Sequence, residues 1–272
     1  STTQIAASIA GAGTGTSTGI VINLGSTALT NANVLATSTK NLSGTKTTVE
    51  PGEVAYLFDA SLNTNSASVD TLSNIENITL AGNGVNYVVG SASANTITGG
   101  SGVDTILGGA GDDIIVGGGD ADVLDGGTGE DVITGGTGID TLTGGTGVDT
   151  FVFDTVVLAA NANNISDFDQ SAGDVLRFDA TTFTEYTAGT AVVVGDVATN
   201  LTDGNVVLVD TVANVITAAV DTTGAAATIF IASDTGNIYY DADGDFAAGS
   251  IIIGSITAAE AAALAAGNIT IV

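Results

Sequence analysis

The chain has 272 residues, of which 30 are acidic and only three basic (Lys40, Lys46 and Arg177), for a formal charge of −27. That balance excludes nucleic acid as a partner, because such binding is built on Lys and Arg contacts to phosphate. It also excludes a compact state held by internal salt bridges, so the acids either stand apart in solvent or are neutralised by cations.

Residues 1–71 read as an N-terminal β-rich flank without a repeat. Short β-like runs stand at Gly19 to Leu24 and Val54 to Phe58, with a Pro51-Gly52 turn before the second. From residue 72 a nine-residue frame sets in and runs to Val152. The copies Gly99-Gly-Ser-Gly-Val-Asp-Thr-Ile-Leu107 through Gly144-Gly-Thr-Gly-Val-Asp-Thr-Phe-Val152 follow one another without an insertion. The sixth place is Asp104, Asp113, Asp122, Asp131, Asp140 and Asp149, and the eighth is Ile106, Ile115, Leu124, Ile133, Leu142 and Phe151. Upstream the frame persists with Asn77, Asn86 and Asn95 in the sixth place. A neutral amide oxygen there is expected to bind metal weakly or not at all.

Residues 153–183 read as a cap. Phe151, Phe153, Phe168, Phe178 and Phe183 cluster there, whereas the preceding repeats contain no Phe. A stack of repeats needs a terminal closure. Asp167, Asp169 and Asp174 are expected to be solvated members of this cap rather than a further metal site. Residues 184–272 form a C-terminal β-rich region, with strand signals at Ala191 to Val194, Val206 to Val209, Thr228 to Ile231 and Ile251 to Ile253. Asp241-Ala-Asp-Gly-Asp245 starts like an EF-hand loop but lacks its Gly and Glu positions, and is read as a plain turn. Thr257-Ala-Ala-Glu260 is a capping-box pattern. It predicts a helix over Ala258 to Ala266 with Gly267 as its C′ residue, then a strand over Asn268 to Val272. No apolar run reaches the length of a membrane span.

The repeat has a derivable physical logic. Glycines allow a turn with positive φ and close backbone approach. The last three residues are predicted to form a strand, with the eighth side chain inward and its neighbours outward. Two nonapeptides make one coil, and coils stack as parallel strands roughly 4.8 Å apart. Stacking lines up Asp104, Asp122 and Asp140 on one edge, and Asp113, Asp131 and Asp149 on the other. Such columns repel unless a cation lies between consecutive coils. With no Cys or His in the chain, zinc is disfavoured and hard oxygen donors point to Ca2+. Calcium takes about six to eight oxygens, more than two carboxylates supply, so turn carbonyls must contribute. The expected sites pair Asp104 with Asp122, Asp113 with Asp131, Asp122 with Asp140, and Asp131 with Asp149. The candidate backbone ligands are Gly99, Ser101, Gly108, Ala110, Gly117, Gly118, Gly119, Asp120, Gly126, Gly127, Thr128, Gly129, Gly136, Gly138, Gly145 and Gly147. Asp120 departs from the pattern by replacing the fourth-place Gly, so it either adds a ligand or distorts its turn.

These repeats resemble the RTX (repeat-in-toxin) calcium-binding family, whose nonapeptide forms a parallel β-helix. The resemblance implies an all-β fold: a right-handed parallel β-roll over 72–152 with β-rich flanks and one short C-terminal helix. Leu72-Ser-Asn-Ile-Glu-Asn-Ile-Thr-Leu80 is similar to the family's lead-in. Phe151-Val-Phe153 with Ile165-Ser-Asp-Phe168 and Gly173-Asp174 is similar to its exit. The segment from Phe230 to Gly244 is similar to the C-terminal part of type I secreted proteins. For those the resemblance implies an uncleaved export signal, passage while unfolded, and folding in extracellular calcium. With neither His nor Cys, the chain cannot carry a zinc-protease helix motif, a Ser-His-Asp triad or a thiol nucleophile, and no enzymatic role is expected. The richness in Thr, Ala, Ser and Asn resembles surface-layer proteins of this family. The expectation is therefore an S-layer component or RTX adhesin, secreted or at the cell surface, that self-associates into a lattice or attaches to the surface. The second reading is the secretion and folding module of a secreted protease, lipase or polysaccharide epimerase.

Overall fold

The structure, a computed structural model, describes residues 76–80, 82–155, 162–183, 228–241 and 251–272, with the short pieces 4–7, 19–24, 26, 29–30, 41–42, 48–49, 51, 53–58, 70–71, 192–194 and 207–210. The turn expected over Asp241 to Asp245 lies largely outside these residues.

The nine-residue period produces a strand on one side of the coil, a turn, and a strand on the other. Alternate repeats therefore build two parallel sheets. One contains Asn77–Leu80, Thr96–Gly100, Ile114–Gly119, Val132–Thr137 and Thr150–Phe153; the other contains Asn86–Val89, Asp104–Ala110, Val123–Thr128 and Thr141–Thr146. Register follows the repeat: Ile106 lies opposite Leu124, Ile115 opposite Ile133, and Leu124 opposite Leu142. Both sheets turn the eighth residue inward. Ile97, Ile106, Ile115, Leu124, Ile133, Leu142 and Phe151 form a continuous buried stack. Each such side chain contributes about 1.5–3 kcal/mol by leaving water. The fold is an all-β parallel roll.

The strands are longer than the three residues predicted. Val123–Thr128 and Thr141–Thr146 have six each, because pairing runs on through the glycine pair, with Gly109 opposite Gly127 and Gly127 opposite Gly145. The second glycine makes this possible. Gly127 has φ 104°, and a Cβ there would collide with the carbonyl oxygen of Gly109 in the coil above. Four fourth-place glycines have positive φ too: Gly111, Gly129, Gly138 and Gly147. Asp120 shares the sign, with φ 62° against 139–140° in the three glycines that follow it in this place, and is the one non-glycine residue with positive φ among the described residues. Asp tolerates this region better than most residues, and the stacking on the next coil persists, with the Asp120 carbonyl still facing Gly138.

Both ends of the roll are extended by strands outside the repeat. Gln4–Ala7 pairs in parallel with Asn77–Leu80, and Gly19–Asn23 with Asn86–Val89. The first strands of the segment read as a flank thus continue the two sheets. At the other end, Val175–Phe178 and then Ile269–Ile271 continue the first sheet, while Asn163–Ile165 and then Ile251–Ser255 continue the second. The predicted cap is an aromatic core between these strands. Phe153 stacks on Phe178 at 5.0 Å between centroids, Phe178 meets Phe183 edge-on at 5.7 Å, and Phe183 meets Tyr240 at 5.3 Å.

The C-terminal helix spans Ala258–Ala263, and Thr257 caps it by accepting from the Glu260 N–H at 3.2 Å. It stops short of the predicted end. Leu264 already turns out of the helix, and Gly267 lies inside a short 3-10 turn, Ala266–Asn268. The Glu260 carboxylate accepts instead from the Gln170 N–H at 3.2 Å, tying the helix to the exit of the roll. Among the described residues no helix is long and apolar enough to cross a membrane.

Candidate metal centre

The sixth-place residues sit where each strand begins, at the two edges of the coil. All six aspartates are buried, with 0–1 % of their surface exposed. They form two columns joined by one repeated hydrogen bond. The N–H of Asp104 donates to Asp122 Oδ1 at 2.7 Å, and that of Asp122 to Asp140 Oδ1 at 2.9 Å. On the other edge, the N–H of Asp113 donates to Asp131 Oδ1 at 2.7 Å, and that of Asp131 to Asp149 Oδ1 at 2.9 Å.

These bonds use one oxygen of each carboxylate. The second oxygen, Oδ2, is buried without any hydrogen-bond partner in Asp104, Asp113, Asp122, Asp131 and Asp140. A buried carboxylate oxygen left this way is costly. In four of these aspartates Oδ2 faces a further oxygen. A Cβ placed on Gly99 would collide with both Asp104 Oδ2 and the Gly117 carbonyl. Gly108 is bracketed likewise by Asp113 and Gly126, Gly117 by Asp122 and Gly135, and Gly126 by Asp131 and Gly144. First-place glycine therefore keeps open a cradle in which a carboxylate oxygen and a carbonyl oxygen of the next coil converge.

The electrostatics follow from burial. It pushes Asp104 and Asp113 up to about 7, Asp122 to about 8 and Asp149 to about 6. Neighbouring carboxylates add to the rise, Asp131 acting on Asp113 and Asp104 and Asp140 acting on Asp122. Burial raises Asp131 and Asp140 as well. Without a cation the columns resist ionisation.

The remaining candidate ligands fall into distinct positions. Carbonyls in the second and fourth places point along the axis at the same place in the next coil: Gly118 O at Gly136, Gly127 O at Gly145, Asp120 O at Gly138 and Gly129 O at Gly147. In the third place, the N–H groups of Ser101 and Ala110 bond upward to Gly82 and Ser91 carbonyls, and Thr128 O accepts from the Gly111 N–H at 2.8 Å. Gly119 is buried and the Asp120 side chain is exposed, so Asp120 can offer only its backbone oxygen to the column. Among the described residues no three acidic side chains converge on one point. The carboxylates need backbone oxygens to complete a cation shell.

Two residues extend the columns beyond the repeat. Asn163 Oδ1 accepts from the Asp140 N–H at 3.2 Å, and Asp174 Oδ1 from the Asp149 N–H at 2.9 Å. Asp174 is buried, 3 % exposed, and its own carboxyl is raised by that burial. The expectation of a solvated cap therefore fails for Asp174, because the exit loop returns it to the column. Asp167 is half-buried and caps the last turn, accepting from the Gly144 and Gly145 N–H groups at 2.9 and 2.8 Å. Only Asp169 is exposed, held low by the hydrogen bond from the Ser171 hydroxyl and by the N–H groups of Ala172 and Ser171.

Comparison with known families decides what this lattice of oxygens is. A family model for the RTX calcium-binding nonapeptide repeat matches residues 80–115, 98–133 and 125–154. The roll, residues 80–154, is a block of RTX repeats. No curated protein and no solved structure matches the chain. RTX nonapeptides bind calcium, and repeats of this kind are typical of secreted proteins. The residues present fit the ion: hard oxygens only, a buried carboxylate oxygen lacking a partner, and a cradle open because glycine has no side chain. The aspartates Asp104, Asp113, Asp122, Asp131, Asp140 and Asp149 would hold it together with turn carbonyls. Calcium supplies positive charge between like-charged coils, so that binding stabilises the folded roll by mass action.

Proposed function

We propose that the chain is an extracellular structural protein, an S-layer component or RTX adhesin, whose roll folds on meeting calcium after type I export. The observation that carries the calcium step is the set of buried Oδ2 atoms facing carbonyl oxygens across glycine cradles. Before calcium is met, the paired acids oppose coil stacking and keep the chain open. Calcium between Asp104 and Asp122, Asp113 and Asp131, Asp122 and Asp140, and Asp131 and Asp149 closes it, giving four ions. A structural rather than catalytic role is supported by a sequence with neither His nor Cys. The Thr- and Ala-rich composition supports self-association into a surface lattice or attachment to the cell surface.

The test is a calcium titration followed by far-UV circular dichroism and particle size together. The expected result is a transition to β structure as calcium rises, accompanied by sheets or large particles. A spectrum unchanged by chelator sinks the calcium step. A stable calcium-bound monomer sinks the lattice role and favours the folding module of a secreted enzyme.

A further inference from the structure

The aspartate columns stop at residues that carry no free carboxylate oxygen. Above Asp113 stands Asn95, 2 % exposed. Its turn holds a cradle like the others, since a Cβ on Gly90 would collide with the Gly108 carbonyl and lie 2.7 Å from Asn95 Oδ1. Here, however, the oxygen is satisfied by the protein. Ser91 donates to it twice, from N–H at 2.7 Å and from Oγ at 3.2 Å, and the Asn95 amide donates to the Glu76 carbonyl at 3.4 Å. The sequence thus departs from the pattern at three places of this repeat, Gly to Ser at the second and fourth and Asp to Asn at the sixth, and the second and sixth are joined directly by these hydrogen bonds.

The other column ends the same way. Above Asp104, the Asn86 amide donates to Asp104 Oδ1 at 2.7 Å and to the Gly84 carbonyl at 3.1 Å. Two acceptors fix the NH2 group as the atom that faces them. These are the same kinds of acceptor, a carboxylate oxygen and a turn carbonyl, that converge in the cradles lower in the column, though here the carboxylate oxygen is Oδ1 and the carbonyl belongs to the same repeat. Below Asp140, the cradle at Gly135 meets Asn163 Nδ2 at 2.8 Å, where the cradles above meet a carbonyl oxygen. A hydrogen-bond donor in that position opposes a cation. The fourth end is Asp174, whose two oxygens are both taken, by the N–H groups of Asp149 and Asp169 at 2.9 and 2.8 Å.

We propose that Asn86, Asn95 and Asn163 terminate the calcium ladder, each amide replacing by hydrogen bonds the bridge that an ion makes between aspartate coils. This rests on the calcium reading of the roll and adds what limits the number of ions. It follows that one atom changed at an end converts a protein-satisfied coil into an ion site. In Asn95→Asp a carboxylate faces the Gly108 carbonyl above Asp113; in Asn163→Asp one faces the Asp140 cradle.

The test counts bound calcium by equilibrium dialysis with radiolabelled ion at saturation, in wild type and in each variant. Circular dichroism in calcium confirms that the roll is folded. Each variant is expected to hold one ion more than wild type, and the two changes lie at opposite ends, so each is an independent trial. An unchanged count in either folded variant overturns the proposal. A wild type that binds no calcium overturns the calcium reading itself, a separate and recognisable result.

Discussion

Replacing Asp122 by Asn separates the two roles given to the aspartates. Asp122 stands in the middle of its column, below Asp104 and above Asp140. Asn keeps an Oδ1 to accept from the Asp104 N–H, so the backbone ladder stays intact. What disappears is a charge that burial and two flanking carboxylates oppose. The rise from 3.8 to about 8 corresponds at pH 7 to a folding penalty near 4 kcal/mol. Solvent screening at the edge of the coil reduces this to about 2 kcal/mol, roughly a thirtyfold change in the folded ratio. In chelator the variant is therefore expected to be more ordered than wild type by about that amount, measured by urea titration under circular dichroism. In calcium the order reverses. Asp122 borders two ion positions, and the calcium needed for half-folding is expected to rise by at least about tenfold, the equivalent of about 1.4 kcal/mol. Asp120→Asn is the control: it makes the same charge change in the same turn, at an exposed side chain that tolerates positive φ, and should shift the calcium midpoint by less than about twofold. A variant no more ordered than wild type in chelator would refute the repulsion account. An unmoved calcium midpoint would refute the bridge.

Acidity should act in opposite directions on the two states. Without calcium, the folded roll holds Asp104 and Asp113 at about 7, Asp122 at about 8 and Asp149 at about 6, against 3.8 for the ordinary carboxyl. Between about pH 4 and 8 the folded state binds more protons than the unfolded one, so its stability falls as pH rises; ellipticity in chelator should be more β-like at pH 5 than at pH 8. With calcium, protons compete for the same oxygens, and dialysis should show ion release on acidification. Gly126→Ala places a methyl group against Asp131 Oδ2 and the Gly144 carbonyl; a cost of about 1–3 kcal/mol is expected, read as a raised calcium midpoint. Phe178→Ala opens a cavity between Phe153 and Phe183 and should lower stability in calcium by about 3–5 kcal/mol, read from the denaturant midpoint.

The roll was legible because its period does two jobs. A fixed eighth place set the core, and a fixed sixth place set the columns, so the pairing of Asp104 with Asp122 could be written from spacing alone. Legibility ended with the period. Asn163 lies 23 residues after Asp140 and Asp174 lies 25 after Asp149, not 18, because the exit loops are longer. Nothing in spacing marked either as a column member. The Ser91 and Asn95 exchange was visible only as two departures until the hydrogen bonds showed that they compensate each other. Strand length was missed for a different reason. Glycine reads as a breaker, yet here it is the residue that lets paired backbones bend together without parting. Gln4–Ala7 carries no trace of the nonapeptide and joins the sheet by backbone pairing with Asn77–Leu80.

The stacking of identical turns also sorts the fifth place of each repeat. Val103, Ala121 and Ile139 fall along one rim of the roll, whereas Asp112, Glu130 and Val148 fall along the other, and all six are exposed. One rim is greasy and the other mostly acidic, at a position outside the core. The coil thus acts as a ruler that repeats any chosen chemistry at strand spacing along two separate tracks. Substitutions at this one place could redecorate the greasy track without touching the core, whereas on the acidic track Asp112 also adds to the repulsion that Asp113 and Asp131 meet.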